Sequence, residues 1–139
     1  RSPDCGLKTP YEGLIVASLI EREAKLSEEF FTVSGVIQNR LKKGMPLQID
    51  AAVLYGKPGQ QTPLTRKDLN KITPYNTYKK RGLPPSPIAM PSRDAIMAAL
   101  HPEQTKALYY VINQQGGHYF SHTYAEHLRA VRKLKKEKK

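Results

Sequence analysis

The run Leu14-Ile15-Val16-Ala17-Ser18-Leu19-Ile20 passes directly into Glu21-Arg22-Glu23. A helix through that run is apolar nearly all round, so other elements must wrap it rather than leave it on the surface. Carboxylates at the end of a buried helix are costly unless they are paired or used. Burial also raises a carboxyl pKa, and a carboxylic acid that stays neutral can protonate a leaving group. Two readings follow. One is a general acid in a cleft; the other is a helix end emerging into water, with Arg22 between two solvated glutamates.

A chain of 139 residues makes one domain with room for a core. No stretch reaches the roughly 20 apolar residues that span a bilayer. The first residues, Arg1 to Thr9, do not resemble a signal peptide. Cys5 is the only cysteine, which removes an internal disulfide and a thiolate zinc site. The net charge of +11 favours a polyanionic partner, such as nucleic acid, an anionic membrane surface or an acidic wall polymer. Part of that charge is local, in Arg129, Arg132, Lys133, Lys135, Lys136, Lys138 and Lys139, and reads as a solvated helix end or tail.

Residues 1–10 read as a linker, 11–134 as the folded domain and 135–139 as a basic tail. A first helix is expected from about Tyr11 to Leu26. Ser27 is placed to cap a second, which carries Glu28 and Glu29 in its first turn and Phe30, Val33, Ile37 and Leu41 on one face, and Gly44 stops it. The short join suggests that the two helices form an antiparallel pair. Asp50 is placed to cap a short helix through Leu54, and Thr65 a short turn. Between Thr73 and Pro91 five prolines and one glycine forbid a long helix or a central strand. Ser92 begins another helix, with Ile96, Met97 and Leu100 expected on its inner face. Leu108–Ile112 and His118–Ser121 read as a hairpin turned by Gly116-Gly117, and a last helix starts near Tyr124. The fold class is α+β, mostly helical with a small β-hairpin.

Glycoside cleavage usually needs two carboxyl groups, and Asp50 is the second candidate, with a helix cap as its structural alternative. His101, His118, His122 and His127 are the only histidines. Strand and turn separate them from any H-E-x-x-H helix, so no metal is expected, and His118 reads as a hydrogen-bonding group on a loop edge. No P-loop, dinucleotide fingerprint or G-x-S-x-G elbow occurs, and no cofactor is expected. Tyr75-Asn76-Thr77-Tyr78 either stacks on sugars and binds acetamido groups or pins the Pro-rich loop.

Ala17-Ser18-Leu19-Ile20-Glu21-Arg22-Glu23 resembles a segment of the YceG-like family, the endolytic murein transglycosylases. Further motifs follow in that family's order: Asn39-Arg40-Leu41 with Gly44-Met45, then Leu47-Gln48-Ile49-Asp50 with Val53, Tyr55 and Gly56. After these come Thr73-Pro74-Tyr75-Asn76-Thr77-Tyr78, Gly82-Leu83-Pro84-Pro85 with Pro87-Ile88-Ala89, Gly116-Gly117-His118 with Phe120, and Glu126-His127. The resemblance covers about Tyr11 to Val131. The departures are Ala24, Ile49, Ala51, Ser86 and Ser92, and those at Ile49 and Ala51 weaken any argument that the surroundings of Asp50 are fixed.

The resemblance implies a lysozyme-like domain that cuts peptidoglycan strands internally. It also implies a larger parent, with an inner-membrane helix and a LysM-like domain ahead of this one, at the periplasmic or other extracytoplasmic face of the bacterial inner membrane. Contact with the wall-synthesis machinery, a monomeric state and no nucleic-acid partner are the accompanying expectations. In lytic transglycosylases more broadly the catalytic glutamate precedes a Gln motif and a Tyr-Asn motif. Glu23, Gln48 and Tyr75-Asn76 fall in that order, so Glu23 rather than Glu21 is the expected acid. Glu21, Gln48, Asp50, Tyr75 and Asn76 are then supporting residues, with Tyr75 hydrogen-bonded to Glu23 and Glu21 paired with Arg22 or another base. Tyr78, Asn39, Arg40 and His118 are expected to bind substrate. The rivals are a hydrolytic muramidase that uses Asp50 to activate water, and a basic module that only binds nucleic acid or wall polymer.

Overall fold

The structure is a computed structural model and describes residues 7–60 and 62–137. Cys5 and most of the expected linker lie outside the described residues, as do Gln61, Lys138 and Lys139.

Helix α1 spans Pro10–Glu23. Thr9 caps it by accepting from the Glu12 N–H, and Pro10 occupies the first turn, where a missing N–H costs nothing. Gly13 and every residue from Ile15 to Ile20 are buried, so the helix is enclosed on nearly all sides. Each fully buried Leu or Ile there contributes about 1.5–3 kcal/mol. The helix ends before Leu26 because Ala24 turns extended and puts its methyl group into the core.

Ser27 does not cap the next helix. Ser27–Glu29 form a 3-10 turn without a side-chain cap, and α2 spans Phe30–Lys43. Glu29 is drawn away to His118, whose backbone N–H and ring Nδ1 both meet its carboxylate. Gly44 closes α2 as expected, at φ 70°, a left-handed conformation that glycine adopts at little cost.

Helix α3 spans Asp50–Tyr55 and α4 spans Arg66–Asn70. Thr65 caps α4 in a reciprocal capping box with Asp68. Asp50 is the first residue of α3 rather than its cap, because its carboxylate accepts from the Tyr78 hydroxyl instead of a backbone N–H.

The Pro-rich stretch from Thr73 to Pro91 forms neither helix nor strand. Asn76, fully buried, holds it: Nδ2 donates to the Leu69 and Lys71 carbonyls and Oδ1 accepts from the Tyr78 N–H. Ser18, the one polar residue of the apolar run, accepts from the Ile88 N–H at 3.0 Å and so fastens the loop to α1.

Helix α5 spans Arg93–Leu100 and is capped by Ser92. Its buried face is Ala95, Ala98 and Ala99, whereas Met97 is exposed. Of the larger side chains expected inside, Ile96 packs half-buried against the core and Leu100 is half-buried, so Met97 alone departs. The small ones win because α5 lies close along α1, where Gly13 sits against Leu100.

Strands β1 (Tyr109–Ile112) and β2 (His118–Ser121) pair antiparallel, with Tyr110 opposite Phe120 and Ile112 opposite His118. Helix α6 spans Tyr124–Glu137 and packs on both strands. The fold is therefore α+β, with about half its residues helical. No described helix is long and apolar enough to cross a membrane.

Candidate active site

Helix α2 leads the chain into β1. Asn39 Nδ2 donates to the Thr105 and Ala107 carbonyls at 2.7 and 3.0 Å, and Arg40 Nε donates to the Leu108 carbonyl at 2.6 Å. Gly35 lets the incoming chain lie against the helix, since a Cβ there would stand 2.6 Å from the Glu103 carbonyl oxygen. This seam sets β1 beside the C-terminal end of α1. The Tyr110 hydroxyl then donates to Glu23 Oε1 at 2.8 Å.

Glu23 opens into a cavity of about 230 Å3 that five further segments line. Val36, Ile37 and Arg40 come from α2, Leu47 and Gln48 from the link to α3, and Tyr78 from the Pro-rich loop. Tyr109 and Tyr110 come from β1, and Tyr124 and His127 from α6. Among the described residues, Glu23 is the only carboxylate in this lining. A larger, mainly apolar depression of about 600 Å3 lies by the start of α1 and the loop around Leu83. Among the described residues its one carboxylate is Glu12, which accepts from the Lys8 N–H at 2.7 Å.

Burial raises the Glu23 pKa above its ordinary 4.5, and the Asp50 charge adds to the rise. The Tyr110 hydrogen bond, then the His118 and Arg22 charges, pull the other way without cancelling it. Tyr110 itself is pushed well above the usual phenol range, first by burial and then by the Glu23 charge and hydrogen bond. It therefore remains a donor to Glu23 at any working pH.

Behind Tyr110 lies a second layer. The His118 side chain is fully enclosed, with Nδ1 2.8 Å from Glu29 Oε1, and its ring meets Tyr110 edge-on at 5.0 Å. His118, expected on a loop edge, thus packs behind Tyr110 with its side chain enclosed. Across the cavity, Tyr109 stacks on His127 at 5.2 Å and lies under the Arg40 guanidinium. Burial, then the Arg40 charge, lowers the His127 pKa, so its ring is neutral at neutral pH.

The other expected site residues divide. Gln48 lines the cavity with φ 55°, a left-handed conformation that costs an ordinary residue about 1–2 kcal/mol. Thr77 holds it there: its carbonyl accepts from the Gln48 N–H, and its hydroxyl bonds both the N–H and the carbonyl of Ile49. Leu47 and Ile49 are buried while Gln48 projects outward. Tyr78 lines the cavity and donates to Asp50, and burial with that bond pushes its phenol up.

Tyr75 does not bond Glu23. Its hydroxyl pairs with Ser86 Oγ at 2.7 Å and its ring base rests on Gly56. Asn76 is spent on the loop backbone. Glu21 faces α5 and accepts from the Ser92 N–H at 2.7 Å, not from Arg22. Asn39 is spent on the lead into β1.

Tyr110 escaped the sequence reading, yet a signal for it exists. Strand alternation and the hairpin register put Tyr110, His118 and Phe120 on one face. His118 and Phe120 already stood out in the Gly-Gly-His motif, so their cross-strand neighbour was the residue to test.

The YceG-like family model matches residues 3–133. The chain is 43% identical over 120 residues to the endolytic murein transglycosylase of Bacillus subtilis (strain 168), covering 86% of this chain and 33% of that protein. It is 39% identical over 129 residues to the endolytic murein transglycosylase of Streptococcus pneumoniae serotype 2 (strain D39 / NCTC 7466), covering 88% of this chain and 23% of that one. The crystal structure of a YceG-like protein from Listeria monocytogenes superposes with a TM-score of 0.79 at 40% identity, covering 86% of this chain and 39% of its own. The chain thus spans about a quarter to a third of the length of the curated relatives it matches. By a family match over nearly its whole length, it belongs to the YceG-like family.

Proposed function

We propose that this chain is the catalytic domain of an endolytic lytic transglycosylase. It cleaves the β-1,4 bond between N-acetylmuramic acid and N-acetylglucosamine within peptidoglycan strands and leaves 1,6-anhydromuramoyl ends. The observation that carries the reading is a cavity with one carboxylate, Glu23, desolvated and held by Tyr110.

Protonated Glu23 gives its proton to the glycosidic oxygen as the bond from that oxygen to the muramoyl C1 breaks. Anionic Glu23 then takes the proton of the muramoyl C6 hydroxyl, and that oxygen closes on C1. No water is consumed, and the acid ends the cycle protonated. The nucleophile belongs to the substrate and is already oriented, so a second carboxylate has no task. The Tyr110 hydrogen bond steadies the anionic half of the cycle. Gln48 and Tyr78 are placed to orient sugar substituents.

On this reading the α+β domain is lysozyme-like, residues 11–134 form the catalytic unit, and 1–10 and 135–139 are its linker and basic tail. The domain acts as a monomer, without cofactor or nucleic acid, at the extracytoplasmic face of the inner membrane beside the wall-synthesis machinery, anchored through a longer parent. A hydrolytic muramidase would need Asp50 to activate water, but Asp50 does not line the cavity and its Oδ1 already accepts from Tyr78.

Mass spectrometry of digested sacculi tests the reading. Anhydro ends lack one water relative to reducing ends and should dominate the products. Reducing ends throughout would overturn it. The Glu23→Gln variant should lose activity by about 100- to 10,000-fold.

A further inference from the structure

Arg40 is the charged group in the cavity that the cleavage steps leave unused. It is 9% exposed, and its guanidinium lies over the Tyr109 ring at 5.1 Å, within the electrostatic reach of Tyr78 and Tyr110. Nε donates to the Leu108 carbonyl and Nη1 to the Pro46 carbonyl at 2.8 Å. Among the described residues Nη2 donates to no acceptor, and the ion pairs are Lys57 with Asp68 and Glu29 with His118, so no carboxylate answers the Arg40 charge. Arg40 is also absent from the charges that act on Glu23, which are His118, Asp50 and Arg22.

A buried cation without a counter-ion is costly to keep, and a guanidinium presents a planar fork suited to a carboxylate. Two of its five N–H groups are spent on carbonyls that fix its plane, and the group lines the same cavity as the acid. A muramoyl unit with its glycosidic oxygen at Glu23 brings its own substituents to this wall. That unit carries a carboxylate in either of two states. Peptide-free strands expose the lactyl carboxylate, and peptide-bearing strands carry carboxylates on the stem.

We propose that Arg40 is a carboxylate subsite beside the acid, which recognises the anionic substituent of the muramoyl unit to be cut. The assignment rests on the glycan-cleaving reading of the same cavity.

Binding tests it apart from turnover. The full chain carrying Glu23→Gln is titrated calorimetrically with peptide-free glycan chains and with the same chains after reduction of their lactyl carboxylates to alcohols. A second pair consists of peptide-bearing chains and their counterparts with stem carboxylates amidated. Neutralising the recognised carboxylate should weaken binding about 10- to 100-fold in one pair, and that pair names the source. Equal affinity within both pairs overturns the proposal.

Adding Arg40→Gln to the same background should erase the discrimination. Discrimination that persists would come from the general positive charge of the chain and also overturns the proposal. Where circular dichroism shows that Arg40→Gln does not fold, Arg40→Lys replaces it and should cut the discrimination several-fold, because the point charge stays and the fork is lost. Charge-selective binding together with reducing ends in the digest would sink the transglycosylase mechanism and leave the subsite standing.

Discussion

Tyr110 Oη lies 2.8 Å from Glu23 Oε1, so the acid at the end of α1 takes its hydrogen bond from a strand 87 positions further along the chain. The phenol is enclosed and stays protonated, so the bond favours the anionic carboxylate. Burial opposes it and prevails, leaving Glu23 with a raised pKa. Tyr110→Phe should therefore move the alkaline limb of the activity profile to higher pH. It should also slow turnover about tenfold, because the anion that serves as base in the proposed cycle has lost a charge-assisted bond. A pH–rate profile of the purified variant checks both effects.

Glu23 also leaves a mark on stability. Its folded pKa is raised, so its stabilising contribution is fully present below the unfolded value near 4.5 and is lost as pH rises through the folded value. Glu23→Gln removes that loss. The variant should match the parent near pH 4 and exceed it in urea midpoint at neutral pH. A variant less stable than the parent at pH 7 would contradict the desolvation argument.

Gly56 and Tyr75 touch so closely that a Cβ on the glycine would stand 2.6 Å from Tyr75 Cβ. Gly56→Ala should destabilise the fold by about 1–3 kcal/mol, measured by chemical unfolding. Tyr75→Phe loses only the Ser86 bond, about 0.5–1.5 kcal/mol, and should leave turnover within about twofold.

Gln48→Gly separates strain from function. Glycine relieves the φ 55° conformation, so stability should hold or rise by up to about 1 kcal/mol. Activity should fall, since the amide that lines the cavity is gone. A variant that loses both would show that the side chain holds the link rather than the substrate.

The apolar run announced its own burial, and Gly44, Thr65, Ser92 and the Gly-Gly turn marked their elements where the structure has them. These signals are local, so one stretch of chain is enough to read them. Motif order located the region of Tyr75 and Asn76 but not the direction of their side chains. Backbone hydrogen bonds consumed Asn76, and the close approach of Gly56 turned Tyr75 away from the acid. Asp50 and Ser27 looked like caps because cap statistics ignore distant partners, here Tyr78 for Asp50 and the pull of His118 on Glu29. The face of α5 was misread at Met97 because hydrophobicity ranks methionine above alanine, while close packing on α1 selects the smaller group.

The hydrogen bonds from Asn39 and Arg40 to the segment that enters β1 carry one more consequence. A chain cut short before residue 109 would still contain Glu23, but without the Tyr110 hydrogen bond and without the β1 and α6 walls of its cavity. The enclosed, hydrogen-bonded Glu23 is complete only when the far end of the polypeptide folds back over it. On the proposed function, copies that have not closed in this way should be inert.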